Sequence, residues 1–338
     1  MKTLFCVSAE NLHLADPNSL IFKMEESYLD ARGCPCPAPA GEMSLAAENE
    51  ELWENERLRR VERVCGGLVS FSSTKQIHEI DDVFGTYGFK NLRGEVVIEP
   101  QYASAAEFSM GLCAVCLGRT WFQKGSSRYY ETHWGYIDEQ GKTVLPFHFR
   151  EAWPFNRYGV AVVSREYTEN YYLIDLAGRR LEAPQDACFD HYEMDYDSRF
   201  VGFSFGEDEK NKDEPPMGIY DTKERRVVLM PQFEAFYEID EETILVQEAE
   251  KEGVRREYFI NAGGEPKHPH LLAQDLSSEW PGKNGCFIVR KNHGGACGLS
   301  APNGEVIIPV VYDKILPMNY ANLFACYRGG VIEVIDCE

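Results

Sequence analysis

A short strand-like phrase recurs along this chain about every 41 residues, and no other feature restricts the fold as strongly. It reads YGFKN at 87–91, WGYID at 134–138, YLID at 172–175 and MGIYD at 217–221. It returns as YFIN at 258–261, CGLSA at 297–301 and VIEVID at 331–336. A second apolar strand precedes each copy, clearest as GLVSF at 67–71, GLCAV at 111–115 and GVAVV at 159–163. An apolar run ending in proline follows six copies, at Pro100, Pro146, Pro184, Pro231, Pro269 and Pro309. Gly94, Gly141, Gly178, Gly263 and Gly304 lie between phrase and proline, where a tight turn needs positive φ. The fourth copy has Lys223-Glu224-Arg225 there instead.

Short runs rich in Val, Ile, Phe and Tyr, bounded by Gly, Asn or Asp, are meander strands. Evenly spaced meanders predict an all-β repeat, a β-propeller-like ring of about seven short sheets; the alternative is an open β-solenoid. The chain ends before a seventh proline run, so a ring needs another segment beside 331–336. Residues within 1–25 are expected to supply it, and the run Ser19–Met24 has suitable apolar character. Such closure also protects sheet edges. Residues 26–66 break the pattern. Cys34–Pro39 suggests a stiff polyproline-like loop. Residues 44–64 suggest one helix, with Ser44 as N-cap, acid in its first half and Arg57–Arg63 in its second. The expected organisation is thus closing strand(s) at 1–25, loop and helix at 26–66, and the repeat array at 67–338.

The phrase Trp134-Gly135-Tyr136-Ile137-Asp138, with its Gly-Lys turn, proline-ended run and GVAVV strand, resembles the WG repeat, common in bacterial proteins. The positions that carry the resemblance are Trp134 and Gly135, the equivalent Gly88, Gly218 and Gly298, and Pro100, Pro146, Pro231 and Pro309. The glycine is lost in Tyr171-Tyr172 and in Glu257-Tyr258. The resemblance implies a repeat scaffold that mediates interactions, and it brings no catalytic residues.

Charge narrows the partners. Against 34 Lys and Arg stand 55 Asp and Glu, a net charge of −21. That repels nucleic-acid phosphates and anionic membranes, and steers basic proteins or peptides. No apolar stretch is long enough to span a bilayer. The apolar run Leu4–Val7 is too short for a signal peptide. Eleven cysteines, an odd and scattered set, fit free thiols in the cytoplasm.

No local motif for a nucleophile, phosphate cradle or metal emerges. Cys113 and Cys116 fall on one strand, where i and i+3 point to opposite faces, so buried structural thiols are expected. His268 and His270 flank Pro269 and would share a strand face; a turn and strand edge is the simpler expectation. Asp190, His191, Glu193, Asp195 and Asp197 lack the glycine of a calcium loop. Trp121, Trp153, Trp280, Tyr136 and Tyr158 are the candidates for an interaction surface. The expected function is a non-enzymatic scaffold binding protein or peptide, with no cofactor. The competing classes are a hydrolase-like enzyme with a central-channel site, and carbohydrate or small-ligand binding on exposed aromatics.

Overall fold

A computed structural model describes residues 2–7, 12–16, 21–24, 27–29, 35–36, 64–73, 86–124, 127–165, 170–190, 194–205, 215–250, 255–274, 276–281, 285–291, 295–317 and 323–337. The chain is all-β, built of small antiparallel sheets, none closed on itself. Among the described residues the one complete helix is the turn Pro269–Leu272. The chain divides into two compact units, Met1–Leu45 with Phe233–Glu338, and Ala46–Gln232. The helix expected over 44–64 and the charged run at 207–214 lie outside the described residues.

The unit Ala46–Gln232 holds successive meanders. Leu68–Ser73, Thr86–Asn91 and Val96–Tyr102 form the first sheet. Ser104–Ser109, Leu112–Lys124, Ser127–Asp138 and Thr143–Phe149 form the second. Glu151–Ala152, Val160–Ser164 and Tyr171–Asp175 form the third. Ala187–Phe189, Phe200–Phe205 and Met217–Asp221 follow, next to the first half of Arg226–Asp240.

The strand GLCAV is apolar throughout because it serves two cores. Successive side chains point to opposite faces. Cys113 and Val115 therefore pack with Phe89, Ile98 and Phe108 of one cluster. Ala114, turned the other way, packs with Phe149, Phe155, Ala161 and Val163. The next sheet repeats the device: Ala161 and Val163 face back, while Val160 and Val162 join Phe189, Val201 and Phe203. All five residues of Val160–Ser164 are buried. Each fully buried Val or Phe contributes about 1.5–3 kcal/mol. A charged residue at Val162 would place an unpaired charge between two sheets.

In the other unit, Thr243–Glu248 pairs with Glu257–Asn261. Leu276–Pro281, Phe287–Lys291, Cys297–Ser300 and Val306–Tyr312 form one sheet. In another, Lys314–Pro317, Leu323–Arg328 and Val331–Asp336 are joined by the N-terminal strand Lys2–Val7. Its register runs from Lys2↔Asp336 to Val7↔Ile332. Of the run Ser19–Met24, the described part Ile21–Met24 does not take that edge. Ile21–Met24 instead pairs locally with Leu12–Asp16 and Ser27–Leu29. Pro17-Asn18-Ser19 is turn chemistry, and closing a short loop costs less entropy than a long-range pairing. Within the run expected to be polyproline-like, Pro35–Cys36 is a short strand on Ser27–Leu29, and residues 34 and 37–39 lie outside the described residues.

Candidate functional site

The repeat motif is built around a close approach of two backbones. A Cβ on Gly88 would lie 2.5 Å from the Ile98 carbonyl oxygen and 2.7 Å from the Pro100 nitrogen. On Gly298 it would lie 2.5 Å from the Ile308 carbonyl oxygen and 2.9 Å from the Pro309 carbonyl carbon. On Gly135 it would meet the Leu145 carbonyl oxygen at 2.8 Å, and on Gly218 that of Leu229 at 2.9 Å. Only glycine allows this.

The register explains why the third strand crowds in. Tyr87 pairs with Tyr102 and Phe89 with Ile98; Trp134 pairs with Phe149 and Tyr136 with Leu145. Cys297 and Leu299 do the same with Tyr312 and Ile308. The third strand bulges opposite each glycine, and the proline sits in the bulge, where its missing N–H breaks no ladder bond.

A second fixed position closes the hairpin. Asp138 Oδ1 accepts from the Gln140 and Lys142 N–H groups, at 3.0 and 2.8 Å. Asn91, Asp175 and Asn261 make the same pair of contacts with their own turns. An Asx side chain at the strand end thus replaces two lost backbone acceptors. In the fourth copy Arg225 takes the positive φ, 54°, that Gly141 takes at 79°. There Asp221 is fully buried and bound by Arg199, Nε to Oδ1 at 3.1 Å and Nη2 to Oδ2 at 2.7 Å. Thr222 Oγ1 donates to the Arg199 carbonyl, and Asn156 Nδ2 reaches Thr222 Oγ1 and the Ser198 carbonyl, each at 2.8 Å.

Two of the copies without the glycine lack a full third strand, whereas VIEVID, with Glu333 at that position, pairs along its length with Lys2–Val7. Where Tyr172 and Tyr258 replace the glycine, pairing shrinks to single bridges, Ile174↔Arg180 and Ile260↔Pro266. Pro184 lies in irregular chain, and Pro269 opens a helical turn rather than ending a strand. Beside Tyr172 the vacated space is a cavity of about 490 Å³. Tyr171, Tyr172, Arg165 and Arg180 line it, with Asn170 and Asp186. Arg165 Nη2 lies 2.8 Å from His148 Nε2. A guanidinium only donates, so this nitrogen accepts and the imidazole is neutral. Burial, then the charge of Arg165, lowers the His148 pKa, in agreement. The Arg180 guanidinium lies 4.8 Å from the Tyr172 ring centroid.

Of the residues expected at an interaction surface, Tyr136, Trp153 and Tyr158 have described side chains. Tyr136 is fully buried, and its hydroxyl donates to the Trp153 carbonyl at 2.7 Å. It is a core residue, because the third position of the phrase points between sheets. Trp153 is half-buried, edge-on to Tyr171 at 5.6 Å. Tyr158 is half-buried beneath Arg157, 4.9 Å from its ring centroid. The side chains of Trp121 and Trp280 lie outside the described part.

Cys113 and Cys116 are buried; their thiols donate to the Ala106 and Gly118 carbonyls at 3.3 and 3.4 Å. Burial pushes the Cys113 thiol pKa far up, so it is no nucleophile. His268 and His270 flank the start of a helical turn rather than a strand, since Pro269 suits a first helical position. The His268 ring stacks on Phe287 at 5.3 Å, and His270 Nε2 donates to the Gly304 carbonyl at 2.9 Å. Among the described residues, no three His, Cys, Asp or Glu gather as a metal site, and no helix is long and apolar enough to cross a membrane.

The fold defines an all-β repeat class with a Gly-gated third strand. More particularly, residues 87–121 and 134–167 match the model of the WG containing repeat, and the chain carries WG repeats there. No curated protein matches this sequence. Among solved structures, an acylaminoacyl peptidase from Pyrococcus horikoshii is 14% identical, with a TM-score of 0.33 over 80% of this chain and 51% of that one. A structure from a study of two prolyl endopeptidases gives 11% and 0.33, over 95% of this chain and 54% of that one. The dihydro-heme d1 dehydrogenase NirN in complex with DHE gives 10% and 0.27, over 82% and 77%. The chain spans about half the length of the peptidases. At these TM-scores the likeness carries no argument about activity.

Proposed function

We propose that this protein is a WG-repeat scaffold that binds a protein or peptide, and that its meanders continue over 67–338 as a propeller-like ring. The supporting observation is the two-faced repeat core: GLCAV and GVAVV spend their apolar side chains between sheets. What remains for function is turns, strand edges and grooves, which suits recognition. The excess of 21 negative charges favours a basic partner through long-range steering. A reducing cytoplasm suits the free thiols of Cys65, Cys113, Cys116, Cys188, Cys286, Cys297, Cys326 and Cys337.

The test is capture of a defined partner, followed by salt titration. The identified partner should bind the purified full chain and release near 1 M salt, where the Debye length is about 3 Å. Binding unchanged by salt would overturn the basic-partner reading. Failure of every cross-linked candidate to bind the purified chain would overturn the scaffold reading.

A further inference from the structure

The groove beside Tyr172 exists because one repeat has no third strand, and its lining is unusual for so acidic a chain. Arg157, Arg179, Arg199 and Arg255 each reach a carboxylate within 4.0 Å. Arg165 and Arg180 have no such partner among the described residues, and both border the same cavity. Arg165 is held by His148 Nε2 at 2.8 Å and by the Phe149 ring, 5.7 Å from its centroid, neither of which neutralises it. Arg180 is set across the Tyr172 ring, a contact that fixes a guanidinium without neutralising it. The Tyr172 hydroxyl is buried and no group meets it with full hydrogen-bonding geometry. Burial raises its pKa against the charges of Arg165 and Arg180 and a loose hydrogen bond from Arg165, so it keeps its proton and remains a donor. Two guanidiniums with no carboxylate contact among the described residues, and a hydroxyl whose proton is unspent, border about 490 Å³, a volume typical of small-ligand sites.

We propose that this groove binds an oxyanion, a carboxylate or a phosphate, between Arg165 and Arg180, with the Tyr172 hydroxyl as a third donor. Guanidiniums suit either group because their N–H pairs match two oxygens at once. Asp186 also lines the groove. It favours a ligand that carries a hydroxyl or amine beside its anionic group, and disfavours a densely charged one. The proposal goes beyond the scaffold reading and does not need it.

The experiment uses the full chain at low salt, with inorganic phosphate and succinate as separate probes, followed by calorimetry and by the His148 imidazole NMR signals. One or both probes should saturate a single site and shift His148. Each charge-assisted pair is worth about tenfold or more in affinity, so Arg165→Gln and Arg180→Gln should each weaken binding by at least that factor. Arg93→Gln, in another turn, should leave it unchanged. Phosphate alone, or succinate alone, would identify which oxyanion the groove takes. Neither probe saturating by about 10 mM, or equal binding by the Arg165 and Arg180 variants, would overturn the proposal. Oxyanion binding without any protein partner would leave this site standing and defeat only the scaffold.

Discussion

The repeats at Trp134 and at Tyr171 begin alike and end differently. Both put an apolar strand between two cores, and both close the phrase with an aspartate that caps its turn. In the first, Gly135 lets Thr143–Phe149 pair as a bulged strand. In the second, Tyr172 stands in the same place, and the third strand survives as one bridge at Ile174↔Arg180. At Tyr172 a side chain at the point of closest backbone approach goes with a groove in place of the third strand, while Glu333 of the last copy still has Lys2–Val7 beside it. Tyr258, like Tyr172, leaves a single bridge, at Ile260↔Pro266. Loss of the motif is therefore a structural event with its own product, rather than simple decay of the repeat.

Perturbations of this contrast rank by size. Arg199→Met should be the most damaging, about 3–5 kcal/mol in denaturant unfolding, because it strands Asp221 without its cation in a dry site. A loss below about 1 kcal/mol would show that the buried network does not brace the glycine-free turn. Adding Asp221→Leu to it should recover much of the loss.

Next comes Gly135→Ala, whose new Cβ would sit 2.8 Å from the Leu145 carbonyl oxygen. It should cost about 1–3 kcal/mol, and Gly88→Ala, at 2.5 Å, at least as much. Tyr172→Phe, which changes nothing at the backbone, should stay within about 0.5 kcal/mol. Equal losses at Gly135 and Tyr172 would break the close-approach explanation.

Asp138→Ala removes the acceptor of two turn N–H groups and should cost about 1 kcal/mol, while Asp138→Asn should be tolerated. Asn91 and Asn261 already perform the same task. Thermal melts of both variants check this; an equal effect would mean that charge, rather than acceptance, matters.

The smallest effects are in pH. Burial alone would raise the Asp175 pKa, but N–H donation from Arg179 and Ala177 and the charge of Arg179 hold it below the ordinary value. Its contribution is present above about pH 4, the unfolded value, and is lost as pH falls through the folded one. Asp175→Asn should flatten the acid limb of the stability curve. Tyr258 is pushed up to about 12 by burial, then by Glu248. Its contribution is intact below about pH 10 and is lost as pH rises toward 12. Absorbance titration of Tyr258→Phe should lack that late phenolate step.

The meanders were legible in the sequence, because strand hydrophobicity and turn residues are local signals. The missing third strands were half-legible. Tyr172 and Tyr258 break the pattern in plain view, but Pro184 and Pro269 disguise the loss by keeping the proline period. The Asx position was visible at 91, 138, 175, 221 and 261, yet nothing in a row of letters shows an oxygen accepting from two amides. Asn156, Arg199, Asp221 and Thr222 were hidden more deeply. They are up to 66 positions apart, and their meeting depends on how strand ends gather. Tyr136, expected at a surface, proved buried, since an aromatic ring has the same letter in a core as on a face.

The sequence by itself determined the repeat, the all-β class, the turn positions and the acidic charge, each written within a few neighbouring residues. The sequence also placed a segment of 1–25 beside 331–336; the tertiary structure alone decided that this segment is Lys2–Val7, which arginines find carboxylates, and where a groove opens. Those outcomes depend on distances between segments remote along the chain. Strand propensity specifies a strand, but only packing specifies what lies 2.5 Å from its glycine.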